Sequence, residues 1–117
     1  MDQIGDVGVV RLLDEPGLDS AIRRVGEAIA DARRAGLRKL LVVVGPLDVA
    51  APSVAERVSM VRSWAAEAQG KVRVAMVAPT HLLDEQRLGV VAGLGFGLTS
   101  EVFTAEDEAL AWLREPA

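Results

Sequence analysis

The stretch Lys39-Leu40-Leu41-Val42-Val43-Val44 is a continuous apolar run, without the polar alternation of a half-exposed strand. Such a run has no face to give to water. It predicts a strand in a parallel sheet covered by helices on both sides. Gly8 to Leu13 reads as an earlier strand, closed by the turn cluster Asp14-Glu15-Pro16-Gly17, and Val72 to Ala78 as a later one, stopped by Pro79. Leu98 to Phe103 gives a fourth. Residues 1–7 either add an edge strand beside the first or fray.

Between these runs the apolar period changes from two to between three and four. Leu18, Ile22, Val25, Ile29 and Ala32 fall on one helical face, with Asp19 or Ser20 as the expected cap and Gly36 as the expected end. A second helix is expected from Pro52-Ser53 to about Gln69, with Val54, Val58, Val61, Ala65 and Ala68 inward and Met60 and Trp64 beside them. A third is expected to start between Thr80 and Asp84 and to end near Gly93. The last follows Thr104-Ala105-Glu106-Asp107, which resembles a capping box, and carries Ala109, Leu110, Trp112 and Leu113. Strands joined by helices of this length are parallel neighbours or near-neighbours with right-handed crossovers, which leaves the strand order open. The expectation is therefore one α/β domain over residues 1–117: a small sheet of four or five mostly parallel strands flanked by about four helices.

Composition narrows the chemistry. The 117 residues carry a net charge of -4, and the basic pairs Arg23-Arg24 and Arg33-Arg34 alternate with Glu27 and Asp31 on one helix. This reads as a solvated face, so no nucleic-acid partner is expected. Without cysteine there is no disulfide, thiolate metal site or cysteine nucleophile. A lone histidine, His81, gives little basis for a metal site or a catalytic triad, and neither metal nor cofactor is expected. The charge-free stretch Leu88 to Leu98 is about half the length of a membrane span and contains four glycines. With no basic and apolar leader at the start, a cytoplasmic protein without a transmembrane segment is expected.

Ligands of open α/β sheets sit beyond the carboxyl ends of the strands, which draws attention to the loops after the second and third strands. Asp48 and Ser53 lie in the first of these loops. Ser53, near a helix N-terminus, suits either a phosphoryl group or a plain cap. Thr80, His81, Asp84 and Glu85 lie in the second loop. On a continuous helix His81 and Glu85 would share a face, as a general-base pair or as an ordinary surface pair. Gly93-Leu94-Gly95-Phe96-Gly97 follows a helix and precedes a strand, the reverse of a dinucleotide fingerprint, and reads as a turn with a left-handed cap. Met60, Trp64, Phe96 and Trp112 read as core or as a partner surface.

The run Val72 to Pro79, then a helix, then Glu101-Val102-Phe103-Thr104-Ala105-Glu106-Asp107-Glu108-Ala109-Leu110-Ala111-Trp112-Leu113 resembles bacterial SpoIIAA-like proteins of the STAS-like group. These are related in fold to anti-sigma factor antagonists and to lipid-binding CRAL-TRIO domains. The resemblance spans about residues 8–114. It implies a four- or five-stranded sheet, often mixed because a first strand pairs antiparallel, and no known enzymatic activity. In the antagonists a phosphorylatable serine follows an aspartate at the start of a helix. Ser53 is the nearest position here and the candidate phosphorylation site, although Ala51-Pro52 precedes it.

Three functions follow as expectations. The first is a non-catalytic regulatory or protein-interaction module with a protein partner or as a homodimer. The alternative is a small-molecule or lipid-binding domain with an apolar pocket between the Pro46–Ser53 and Pro79–Asp84 loops. The last is an enzyme using His81 with Asp84 or Glu85.

Overall fold

The computed structural model describes residues 1–47, 49–83 and 87–116. Among them the chain forms β1 (Asp2–Ile4), β2 (Val7–Leu12), α1 (Leu18–Arg34), β3 (Lys39–Val44), α2 (Val54–Ala68), β4 (Arg73–Val77), α3 (Leu88–Gly95), β5 (Ser100–Phe103) and α4 (Glu106–Arg114), with a single 3-10 turn at Thr80–Leu82. The sheet order is β1-β2-β3-β4-β5. β1 pairs antiparallel with β2 and every other pairing is parallel. This is the expected α/β class, with residues 2–4 supplying the edge strand.

A monotonic strand order with right-handed crossovers puts every crossover helix on the same face. α1, α2 and α3 accordingly form one layer. Below it Leu12, Leu40, Val42 and Val74 meet Val25, Ile29, Val61, Trp64 and Ala68. The opposite face carries Val7, Val9, Leu41, Val43, Ala75 and Val77, closed by Ala109 and Leu113 of α4. β3 lies mid-sheet between the two layers, and Leu40, Leu41 and Val42 are 0 % exposed. At its end the backbones of β2 and β3 come close. A Cβ on Gly45 would stand 3.0 Å from Leu13 Cα, tighter than an ordinary contact, so any other residue there presses on the β2 end.

Several local expectations are corrected. Neither Asp19 nor Ser20 caps α1. Gly17 holds the cap position without a side-chain bond, and the Ser20 hydroxyl donates to Glu15 at 2.6 Å. The box expected before α4 does not form: Ala105 is the cap residue, the Asp107 carboxylate accepts from Glu108 N–H at 3.0 Å, and Glu106 pairs with Arg11 at 2.6 Å. On α2 the expected inward positions Val61, Ala65 and Ala68 hold, Trp64 joins them, and the two valines of the first turns do not. Val61, Trp64, Ala65 and Ala68 are buried, while Val54 is 61 % exposed and Val58 is also exposed. The indole decides this, since burying on the order of 200 Å² of aromatic surface outweighs two valines at the start of the helix. Its Nε1 donates to the Ile22 carbonyl at 3.0 Å, tying α2 to α1. The third helix begins at Leu88 and not between Thr80 and Asp84, where the described residues form only the 3-10 turn. Trp112 is half-buried. It packs tilted against Phe103 with ring centroids 6.1 Å apart, under the Arg73 guanidinium at 4.4 Å.

Because the two core layers meet at β3, Leu40→Ala and Leu41→Ala should each cost about 2–5 kcal/mol. Urea denaturation measures this; a loss below about 1 kcal/mol for either would contradict the two-sided burial.

Candidate functional site

Of the residues singled out in the sequence, Asp48, Asp84 and Glu85 lie outside the described residues. Ser53, Thr80 and His81 lie at the carboxyl-end rim of the sheet, as expected. Ser53 is the N-cap of α2. Its hydroxyl accepts from Glu56 N–H at 3.1 Å, and its own backbone N–H donates to the Glu56 carboxylate at 2.9 Å, a complete capping box. The Ser53 backbone N–H first, and the Ser53 side chain second, hold the Glu56 carboxyl below the usual carboxylate range. A phosphoryl group on Ser53 would meet that carboxylate and break the box. Charge repulsion would then oppose the favourable field of the helix N-terminus.

Thr80 and His81 are exposed and open the 3-10 turn. His81 Nε2 lies 3.1 Å from the Leu47 carbonyl. A carbonyl only accepts, so this ring nitrogen carries the proton and links the two loops. Among the described residues no carboxylate bonds to His81, and no group of His, Asp and Glu is arranged to hold a metal. The i, i+4 relation of His81 to Glu85 has no continuous helix to support it across the described part of the loop.

Behind these loops lies a cavity of about 100 Å³ between the sheet and the α1–α3 layer. Ile22, Val25, Val61, Trp64, Val74 and Leu98 form its walls, and Leu47, Pro52, Leu82 and Leu83 bring both predicted loops to its mouth. Arg57, Arg87 and Glu101 supply charge there. Arg57 donates to the Leu82 carbonyl at 3.1 Å, joining α2 to the loop after β4. Arg87 takes a left-handed φ of 55°, which non-glycine residues seldom adopt, and its guanidinium pairs with Glu101 of β5. The other Glu101 oxygen accepts from Val102 N–H at 3.1 Å, occupying a donor on the sheet edge.

The rim charges were missed in the sequence. Arg57 stands four residues before Val61 and seven before Trp64, on the inward stripe of α2. A search for apolar positions alone passes over it, yet the spacing from Trp64 finds it. Arg87 and Glu101 are far apart in sequence and carry no local signal.

Outside the cavity, α2 and α3 present an unusual outer surface. α3 reads Leu88-Gly89-Val90-Val91-Ala92-Gly93-Leu94-Gly95, without a polar side chain. Its outward residues Val91 and Leu94 are 62 % and 59 % exposed. On α2, Val54 and Val58 are exposed one turn apart, and Arg62, one turn further, sits over the exposed Phe96 ring at 6.0 Å. No helix among the described residues is long and apolar enough to cross a membrane. Comparison with protein-family models, curated proteins and solved structures returned no match.

The capping box gives a pH-dependent prediction. Ser53→Ala should cost about 1 kcal/mol of stability. Glu56 is favoured as the anion in the fold, so its contribution is complete above the usual carboxylate range and is lost as pH falls through its lowered pKa. Thermal melts across pH should show wild type and Glu56→Gln converging in acid. A difference between them independent of pH would contradict the box.

Proposed function

We propose that this chain is a non-catalytic interaction module of the kind its resemblance to STAS-like proteins implies, and that it pairs with a second copy through the outer faces of α2 and α3. The carrying observation is the all-apolar α3. A surface helix ordinarily turns charged or polar side chains to water, whereas this one turns Val91 and Leu94 outward. Val54, Val58 and Phe96 extend the apolar surface on the same helical layer. A two-fold pairing buries the same patch on both copies and needs about 800 Å² per partner to be stable, an area within reach of two adjacent helices.

A second reading has its own support. The cavity under α1–α3 opens between the two loops that the sequence marked for a ligand, and its wall is mostly aliphatic, with the Trp64 ring and, at the mouth, Arg57, Arg87 and Glu101. At about 100 Å³ it suits a small ring or a branched aliphatic group; a lipid chain requires more room.

Light scattering after size exclusion should report a dimer for wild type and a monomer for Leu94→Glu, with unchanged circular dichroism. Wild type that stays monomeric at the highest soluble concentration would overturn the self-association. A dimer indifferent to Leu94→Glu and Val91→Glu would move it to another face.

A further inference from the structure

The four α-helices of the described residues all end at one rim, opposite the loops that follow β3 and β4. α1, α2 and α3 are each followed by a left-handed glycine, Gly36, Gly70 and Gly97 with φ of 78°, 69° and 90°. These glycines lead the chain into the N-terminal ends of β3, β4 and β5. A cleft of about 710 Å³ opens among these turns and the end of α4. Six cationic side chains line it: Arg33, Arg38, Lys39, Lys71, Arg73 and Arg114. Among the described residues in that lining the one carboxylate is Glu115. Nearly half of the 13 lysines and arginines of a chain with net charge -4 thus surround a single opening.

Part of this concentration stabilises the fold. Each helix C-terminus carries roughly half a negative charge, about two in all for four helices. Arg33 Nε donates to the Glu67 carbonyl at 2.7 Å. Arg73 donates to the Glu115 and Trp112 carbonyls at 3.0 and 3.2 Å, closing α4. Lys39 lies 3.3 Å from Asp6. Six cations against Glu115, Asp6 and the helix ends still leave an excess of about two positive charges. The charged ends of Arg38, Lys71 and Arg114 make no hydrogen bond or ion pair with another described residue, and all three residues are exposed. Helix capping therefore accounts for Arg33 and Arg73 and leaves these three unexplained.

We propose that this cleft is a binding site for a small molecule carrying two or more linked phosphates. Its volume falls in the range of small-ligand sites, and arginine forks match phosphate oxygens in pairs. A long nucleic acid fits poorly: apart from the six lining cations the chain's remaining charge is -10 (the net -4 less six), which repels a phosphate polymer running past the cleft.

The test uses the full chain at low salt, titrated with inorganic tripolyphosphate and separately with ATP, followed by calorimetry and by backbone amide shifts. Saturable one-to-one binding is expected, weakening as salt rises and moving the amides of Gly36, Gly70 and Gly97. Arg38→Gln with Lys71→Gln should lower the affinity at least about tenfold, while Arg23→Gln with Arg24→Gln, an equal charge change on the far part of α1, should leave it unchanged. Equal affinity for both probes assigns recognition to the phosphate chain alone, and tighter ATP binding adds a contact to the nucleoside. Absence of saturable binding, equal loss in the two double variants, or tighter binding of a DNA oligonucleotide than of either probe would overturn the proposal.

Discussion

The burial of β3 on both faces is the constraint from which the other features follow. A strand with no polar side chain between Leu40 and Val44 is stable only where helices cover it above and below. Same-handed crossovers then send α1, α2 and α3 to one side, leaving α4 alone to close the other. Each half of the core depends on residues of this one strand, with Leu40 and Val42 facing the three-helix layer and Leu41 and Val43 facing α4.

The same topology creates two chemically different rims. Where the parallel strands end, the loops meet over an apolar cavity with Arg57, Arg87 and Glu101 at its mouth. Where the strands begin, the helix C-termini converge and draw cations to themselves. The asymmetry follows from all four helices running against the strands, so no special loop is needed to produce it. The outer side of α3, with the neighbouring Val54, Val58 and Phe96, is a third surface, apolar because α3 has no polar residue to place there.

Elements governed by local pattern were legible in the sequence. The β3 run, the glycine at the end of α1 and the Ser53 cap of α2 each depend on residues close together in the chain. Features set by distant contacts were not. Trp64 is drawn inward from beside the apolar stripe because the Ile22 carbonyl receives its indole N–H. Arg73 leaves the pattern of its strand to close a helix about forty residues later. Glu106, at the start of α4, pairs with Arg11, which lies 95 residues away. The loops after β3 and β4 follow from the strand ends, but the cavity behind them is a property of packed layers. The basic cleft was hidden because its cations come from three segments far apart in the chain, Arg33 to Lys39, Lys71 to Arg73 and Arg114, whereas the conspicuous pair Arg23-Arg24 faces solvent.

Native-state amide hydrogen exchange tests the central burial most directly. The account predicts that the amides of Leu40 to Val43 are the slowest in the protein, opening only with global unfolding, while those of β1 and β5 exchange earlier through edge fraying. Exchange of the β3 amides as fast as those of β1 would contradict it, because a strand covered on both faces and paired on both sides cannot open before the sheet's edges do.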